Sequence, residues 1–183
     1  RPRNTAEISA VLKLCHAAGQ AVVSHGGLTG LVGGAKAGNK DIVLSLERMH
    51  SLEAVDTVNR SVLVEAGVTL QKVHEAAEEA DLMFPLDLGA RGSCTIGGNI
   101  STNAGGNSVI RYGMIREQLL GVEAVLADGT IISSLNGSIK NNTGYDLKQL
   151  FVGSEGTLGI VTRAVLRLRP LPRSCNTALV AID

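Results

Sequence analysis

Apolar residues near the start of the chain recur at the spacing of one helix face: Ile8, Val11, Leu12 and Cys15. Asn4 precedes them as a helix cap, and Glu7 stands three residues later as its reciprocal partner. Gly19 follows the run, where a left-handed residue commonly ends a helix. The pattern predicts an amphipathic helix over residues 5–18.

Short apolar runs predict strands in two arrangements. Residues 21–24 lead into a glycine-rich loop and residues 42–46 follow it, which indicates a small parallel α/β unit. Turn residues at positions 59–60 (Asn-Arg) and 128–129 (Asp-Gly) predict antiparallel hairpins instead. The runs that these turns join are residues 52–58 with 61–66 and residues 119–127 with 130–133.

The remaining pattern completes an α+β fold. Thr69 is expected to cap a second helix, and a short helix is expected to begin at position 95 or 96. The inward side of the second helix is predicted to comprise Leu70, Val73, Ala76, Ala77 and Ala80. Residues 159–169 alternate apolar residues with arginines, which predicts a half-exposed strand. We expect a small parallel βαβ subdomain at residues 1–66, packed on a larger, mainly antiparallel α/β subdomain at residues 67–183.

Charge and composition disfavour two classes of protein. Lysine and arginine total 17, aspartate and glutamate total 17, and aromatic residues make up 2%. A nucleic-acid-binding protein normally carries a basic surplus and stacking aromatics, so no nucleic-acid partner is expected. No apolar run approaches the roughly 18 residues of a membrane span, and no signal-peptide pattern opens the chain. We therefore expect no transmembrane segment.

The cysteines form no metal-binding or disulfide pattern. Cys15 belongs to the first helix face, Cys94 is predicted to be a small apolar filler, and Cys175 is predicted to lie in an exposed tail. Because no Cys or His cluster has ligand spacing, no metal site is predicted. An odd number of separated cysteines favours a reduced, cytoplasmic protein, with peripheral attachment to a membrane left open. The opening residues are expected to belong to a longer polypeptide.

Glycine is over-represented, and the excess lies in two loops. The chain holds 22 glycines in 183 residues, well above the usual share of about 7%. The loops span residues 25–34 and 85–106, and glycine there lets consecutive N–H groups approach one anion closely. Neither loop matches a Walker A motif or the dinucleotide-binding G-x-G-x-x-G motif. The loops predict an elongated, phosphate-containing cofactor held by backbone; glycines that serve only tight turns are the alternative.

A third segment, residues 142–161, contains the run GSEGTLGI at residues 153–160. Together with the two loops, it resembles the FAD-binding domain of the vanillyl-alcohol oxidase and para-cresol methylhydroxylase (PCMH)-type flavoproteins. Within that superfamily the chain is most similar to the D-2-hydroxyglutarate and D-lactate dehydrogenase branch. The resemblance covers almost the whole chain and implies a PCMH-type fold with FAD as the cofactor.

The resemblance implies which residues contact FAD. The first loop would wrap the pyrophosphate with backbone N–H groups, and the second would run beside the ribityl chain and flavin. Residues 153–160 of the third segment would close over the adenine and the flavin-side backbone. The implied residues of the first loop are His25, Gly26, Gly27, Leu28, Thr29, Gly30, Gly33 and Gly34. Those of the second loop are Pro85, Leu86, Asp87, Ser93, Thr95, Ile96, Gly97, Gly98, Asn99, Thr102, Asn103, Ala104, Gly105 and Gly106. Those of the third segment are Glu155, Gly156, Gly159 and Ile160.

Some of these side chains have alternative roles. Members of the superfamily that tether the flavin covalently use a histidine after a glycine pair, whereas His25 precedes the pair. Non-covalent FAD is therefore expected, with His25 packing the loop or facing a phosphate. Glu155 is either a cofactor contact or a helix-terminus cap. Residues 111, 112 and 116 (Arg, Tyr and Arg) either face the flavin edge or are solvated.

The implied function is FAD-dependent oxidation of a 2-hydroxy acid to the 2-oxo acid, with hydride passing to flavin N5. The substrate would be of the D-lactate, glycolate or D-2-hydroxyglutarate type. No catalytic residue is identified in the chain, and the groups that bind the substrate are expected in a cap domain after Asp183. Two alternatives stay open: an alcohol or sugar-lactone oxidase of the same superfamily, and a non-catalytic flavin-binding module. The sequence indicates no oligomeric state.

Overall fold

A computed structural model of the chain describes residues 1–174 and 176–181. The helices are α1 (Thr5–Ala17), α2 (Leu70–Glu79), α3 (Ile96–Ser101), α4 (Val109–Tyr112), α5 (Ile115–Gln118) and α6 (Lys148–Phe151). The strands are β1 (Val22–His25), β2 (Ile42–Ser45), β3 (Ser61–Glu65), β4 (Leu82–Met83), β5 (Leu119–Val125), β6 (Ile131–Ser134), β7 (Ile160–Arg167) and β8 (Arg169–Pro170). Cys175 and the expected domain limit at residue 183 lie outside the described residues.

The capping residues fix where the two longest helices begin. The Asn4 side chain accepts a hydrogen bond from the N–H of Glu7 at 2.9 Å, and α1 starts at Thr5, directly after Asn4. Gly19 adopts a φ of 61° just after the helix, as the sequence predicts. The Thr69 hydroxyl likewise accepts from the N–H of Lys72 at 3.4 Å. Both helices are confirmed, as is the start of α3 at Ile96.

The inward face of α2 is narrower than the sequence predicts. Leu70, Val73 and Ala77 are buried, as expected. Ala76 and Ala80 are only partly buried.

The predicted parallel pair is present. β1 pairs with β2 in parallel, with Val22 opposite Ile42 and His25 opposite Ser45. The connection over residues 26–41 contains no helix but consists of the glycine-rich loop, and α1 precedes both strands. The loop therefore leaves from the end of β1 and returns to the start of β2, which exposes its backbone along one side of the pair.

The antiparallel part of the fold is a sheet in the order β3-β7-β5-β6. The hairpin between β5 and β6 is confirmed at Asp128-Gly129, and β4 pairs separately with β8. The subdomain boundary at residue 66 stays a prediction; β3, which lies before it, pairs along its length with β7.

Two predictions about strands are wrong in detail. Residues 52–58 form no strand but only two isolated bridges, Leu52 with Val64 and Asp56 with Ser61. The Asp56 carboxylate accepts hydrogen bonds from the N–H and amide of Asn59 and from the N–H of Val58, which turns the chain early. The same bonds, that from the Asn59 backbone foremost, lower the pKa of Asp56.

The second correction concerns β7, which is mostly buried rather than half-exposed. It lies between β3 and β5, and its buried residues contribute to two apolar clusters. Val161 packs in the cluster that also contains α2 and α3, whereas Ile160 packs in the cluster beneath α1. The half-exposed residues of β7 are Arg163 and Arg167.

The main core joins the antiparallel sheet to α3, the helix within the second glycine loop. Ile96 and Ile100 of α3 are fully buried with Val64 of β3 and Leu166 of β7. A β-carbon at position 97 would lie 2.6 Å from the Cβ of Ala66, so α3 approaches the end of β3 as closely as glycine allows. Among the residues that the structure describes, no helix is long and apolar enough to cross a membrane.

Adjacent glycines of α3 provide a matched test of this packing. Gly97→Ala should lower the free energy of unfolding by roughly 1–3 kcal/mol, because the new methyl group meets Ala66. Gly98→Ala should leave it unchanged or raise it by up to about 1 kcal/mol, because its methyl group would lie 3.4 Å from the Thr95 hydroxyl and alanine favours helix. Urea unfolding of the ligand-free protein measures both. Equal effects of the two substitutions would contradict the close approach.

Candidate functional site

A cleft of about 660 Å³ lies where the glycine-rich segments meet, a size typical of ligand sites. Its walls come from residues 24–36, Leu46, residues 88–90, residues 95–104 in and around α3, and the segment at 155–161. The first loop follows directly from β1, and the second loop contains α3. Packing of these two elements therefore brings the distant segments together.

The two glycine loops touch backbone to backbone. A β-carbon on Gly26 would lie 2.6 Å from the Thr95 hydroxyl oxygen, and one on Gly27 would overlap the carbonyl oxygen of Ser93. A β-carbon on Gly27 would also lie 2.8 Å from the Cα of Cys94. A side chain at either position would separate the loops. These two glycines are therefore needed for the walls of the cleft to close.

The first loop presents a run of unpaired backbone donors. From residue 27 to residue 35, no N–H group has an acceptor among the described residues. Leu28 and Gly33 adopt φ values of 56° and 78°, the left-handed conformation in which consecutive N–H groups can converge on an anion. The loop is closed by His25, whose Nε2 lies 2.8 Å from the carbonyl oxygen of Ala35. Such a loop can bind an anion through amide groups alone.

Thr95 carries an unpaired hydroxyl in the wall of the cleft. It occupies the cap position of α3, yet its side chain makes no capping hydrogen bond. The Oγ1 atom is buried and has no hydrogen-bond partner in the part of the chain that the structure describes, although buried hydroxyls are normally paired. Nearby, Asn99 is buried and donates from Nδ2 to the sulfur of Cys94 at 3.6 Å. The Thr95 hydroxyl is thus a donor left over for a ligand.

The charge of the cleft is nearly balanced. Among the residues that line it, the acidic and basic side chains are Glu155 and Lys36, besides His25. Glu155 adopts a φ of 51°, and its N–H donates to the carbonyl oxygen of Ser101 at 2.8 Å. Its carboxylate lies 2.7 Å from where a β-carbon on Gly34 would be. A phosphate in this cleft would meet amide dipoles rather than a cluster of cations.

The structure brings most of the predicted site residues to this cleft. They are His25, Gly26, Gly27, Leu28, Thr29, Gly30, Gly33, Gly34, Thr95, Gly97, Gly98, Asn99, Thr102, Ala104, Glu155 and Ile160. Their contact with a cofactor stays a prediction.

The other predicted residues lie outside the cleft lining: Pro85, Leu86, Asp87, Ser93, Ile96, Asn103, Gly105, Gly106, Gly156 and Gly159. Packing accounts for several of them. Leu86 and Ile96 belong to the main core. Gly106 bridges to Asp87 so closely that a β-carbon would overlap the Asp87 carbonyl oxygen. Gly156 and Gly159 line a separate pocket beside the end of α1.

Several residues that line the cleft were not predicted from the sequence: Ser24, Leu31, Val32, Ala35, Lys36, Leu46, Leu88, Gly89, Ala90, Ser101 and Val161. One of them had a usable signal. Ser101 is four residues from Gly97, so the two share a face of α3. Leu31 and Leu88 lie inside the predicted loops, where apolar side chains give no sign of contact with a ligand. Among the described residues, no group of three His, Cys, Asp or Glu side chains is placed to hold a metal ion.

A family model described as an FAD binding domain matches residues 1–134. The chain belongs to this FAD-binding domain family. The amide-lined loop and the unpaired Thr95 hydroxyl fit that cofactor, because FAD carries a pyrophosphate that needs donors and the cleft has few cations. The cleft of this FAD-binding domain would thus meet a phosphate mainly with the backbone N–H groups of the first loop.

Curated relatives match the FAD-binding domain along nearly its whole length. A D-2-hydroxyglutarate dehydrogenase of Xanthomonas citri pv. viticola is 48% identical over 99% of the chain and 38% of its own length. The mitochondrial D-2-hydroxyglutarate dehydrogenase of Bos taurus is 46% identical over 98% of the chain and 33% of its own length. The chain therefore spans little more than a third of the length of these relatives.

A solved structure shares the fold. An alkyldihydroxyacetonephosphate synthase superposes with a TM-score of 0.81 at 23% identity, over 94% of this chain and 32% of that one. At this identity the likeness shows the architecture alone. It supports the predicted PCMH-type arrangement of a parallel pair beside an antiparallel sheet.

Thr95→Val tests whether the unpaired hydroxyl serves the cofactor. The substitution keeps the shape of the side chain and removes a buried group without a partner, so the free energy of unfolding without FAD should be unchanged or slightly higher. FAD affinity should fall roughly fivefold, the effect of one hydrogen bond. Thr95→Ser keeps the hydroxyl and should bind FAD within about twofold of wild type. Isothermal titration measures both; wild-type affinity for the valine variant would show that the hydroxyl has no such role.

Proposed function

We propose that the chain is the flavin-binding part of an FAD-dependent dehydrogenase that oxidises a 2-hydroxy acid, of the D-2-hydroxyglutarate type, to the 2-oxo acid. The observation that carries this proposal is the identity of 46–49% to proteins named D-2-hydroxyglutarate dehydrogenase, over almost the whole chain. The amide-lined cleft supports it, since such an enzyme needs a tightly held flavin.

In this proposal the chain binds and orients the cofactor. When bound, FAD would supply hydride acceptance at its N5 atom. The N–H groups of residues 27–35 would hold the pyrophosphate, and the hydroxyl of Thr95 would donate a further hydrogen bond. Gly27 packs closely against Ser93 in the wall of the cleft, and this packing would keep water away from one side of the cofactor.

The groups that act on the substrate are proposed to lie in the rest of the protein. The chain covers 38% and 33% of the lengths of two named relatives, and among the described residues of the cleft no pair of side chains is identified as a substrate base with a carboxylate contact. The substrate base, the substrate carboxylate contacts and any metal ligands would belong to a cap domain. The isolated chain should therefore bind FAD but turn over hydroxy acids poorly.

We further propose that FAD is bound non-covalently. Among the described residues that line the cleft, His25 carries the imidazole. Its Nε2 is already engaged with the carbonyl oxygen of Ala35 at 2.8 Å, in the loop-packing role that the sequence suggests. A covalent bond at this nitrogen would break that contact and open the loop.

The cellular location is also a proposal. The sequence favours the cytoplasm, whereas relatives from Bos taurus and Oryza sativa are named as mitochondrial. We retain the cytoplasmic location for this protein, and cell fractionation with an antibody to the full-length protein would test it.

Reduction of the bound flavin tests the reaction. The full-length protein should purify with a flavin absorption spectrum that is bleached within seconds by D-2-hydroxyglutarate under anaerobic conditions. D-Lactate and glycolate serve as the graded panel, and L-2-hydroxyglutarate serves as the control. Bleaching only by a simple alcohol or a sugar lactone would favour an oxidase of the other class. A flavin that no substrate bleaches would favour a non-catalytic module.

Acid precipitation tests the mode of attachment. The protein without a covalent bond should release all of its flavin into the supernatant when it is denatured in trichloroacetic acid. His25→Ala should still contain flavin, with weaker affinity, because the loop loses the contact with Ala35. Flavin that stays in the pellet of the wild type and leaves the pellet in His25→Ala would overturn the proposal.

A further inference from the structure

Arg116 is a partly buried arginine whose hydrogen bonds all go to neutral acceptors. Its Nη1 donates to the carbonyl oxygen of Gln149 at 3.2 Å and to the Oε1 of the same residue at 2.8 Å. Its Nη2 donates to the carbonyl oxygen of Val152 at 2.8 Å. No carboxylate in the described part of the chain pairs with it. The side chain therefore neither lines the cleft nor points into solvent, the two roles that the sequence left open.

The segment that follows these acceptors, residues 153–156, has an unusual backbone conformation. Gly153, Glu155 and Gly156 adopt φ values of 80°, 51° and 79°, all in the left-handed region. Glutamate rarely adopts this conformation, and it persists only where the surroundings hold it. A segment of this kind needs anchors on either side.

Two anchors come from α3 and a third from Arg116. The N–H of Gly153 donates to the carbonyl oxygen of Ile100 at 3.1 Å, and the N–H of Glu155 donates to that of Ser101 at 2.8 Å. Arg116 binds Gln149 and Val152, which lie just before this segment and more than thirty positions from Arg116 in the chain. Its fork of donors suits this task, because one guanidinium can fix two carbonyl groups and an amide together.

We propose that Arg116 is a positioning residue for FAD binding, which acts by holding the segment 153–156 so that Glu155 faces the first glycine loop across the cleft. The inference rests on FAD binding in this cleft, as proposed above. Glu155 is the carboxylate of the cleft lining, and its oxygen approaches the position of Gly34. A carboxylate accepts hydrogen bonds, and the hydroxyl groups of FAD are donors that it can serve.

A double-mutant cycle on FAD affinity tests this coupling in the full-length protein. The four proteins are the wild type, Arg116→Ala, Glu155→Ala and the double variant, each stripped of flavin and titrated with FAD by fluorescence quenching. Arg116→Ala should weaken binding by about tenfold, and Glu155→Ala by a similar factor. The double variant should bind within about threefold of the weaker single variant, because both changes remove the same contact. Losses that multiply, or wild-type affinity for Arg116→Ala, would overturn the inference.

Further variants separate positioning from general stability. Arg163→Ala is the matched control, because Arg163 pairs with Glu53 at 3.1 Å and neither residue lines the cleft, and it should keep wild-type affinity. Arg116→Lys keeps the charge but not the fork of donors, so it should restore only part of the affinity.

Gln149→Met serves where Arg116→Ala does not fold, as judged by circular dichroism. It removes one acceptor and should cost about threefold in affinity, an effect that disappears in the Glu155→Ala background. Unchanged affinity of Gln149→Met would overturn the inference. Failure of the wild type to bind FAD would overturn the proposed function and this inference with it. Normal wild-type binding beside unaffected variants would overturn this inference alone.

Discussion

The contact between the two glycine loops is the constraint on which the cleft depends. Gly27 lies against the backbone of Ser93 and Cys94 and Gly26 against the hydroxyl of Thr95, with no space for a side chain at either glycine. The second loop is fixed in turn, because α3 packs against the end of β3 through Gly97 and Ala66. A path of tight contacts thus runs from the central sheet to the wall of the cleft. The position of the first glycine loop is set by packing, before any ligand is present.

This arrangement explains how one part of the chain can be both well anchored and open to a ligand. The main core buries α2, α3 and the inner face of the sheet, while the first loop makes few hydrogen bonds within itself. The loop is held at its ends by the parallel strands and by the contact of His25 with Ala35. Its free amides are therefore held in place by their neighbours rather than by bonds of their own.

Local signals in the sequence predict much of this fold. The caps at Asn4 and Thr69 and the Asp128-Gly129 turn act within a few residues, so the elements beside them form as expected. The prediction of a strand over residues 52–58 is wrong because the side chain of Asp56 accepts hydrogen bonds from the backbone N–H groups of the turn. The burial of β7 could not be foreseen, since it depends on which strands become its neighbours. The helices α4, α5 and α6 are each a single turn, too short for any period to be visible.

The candidate site is predictable where glycine is required, and less so elsewhere. Apolar residues of the glycine-rich motifs divide between two tasks: Leu28 lines the cleft, whereas Leu86 and Ile96 fill the core. Nothing in the sequence separates these tasks, because both need the same residue types. The role of Arg116 depends on a contact made across distant parts of the chain, which local patterns do not encode.

The near balance of charge in the cleft has a consequence for the binding of FAD there that we propose. Dissolved ions weaken attraction between separated full charges, but they act far less on short hydrogen bonds from fixed amide dipoles. Lys36 is the basic side chain, besides His25, among the described residues that line the cleft, so binding there depends little on attraction between full charges. The flavin should therefore be retained almost equally well in dilute and in concentrated salt, and changes in the ionic composition of the compartment should not empty the domain.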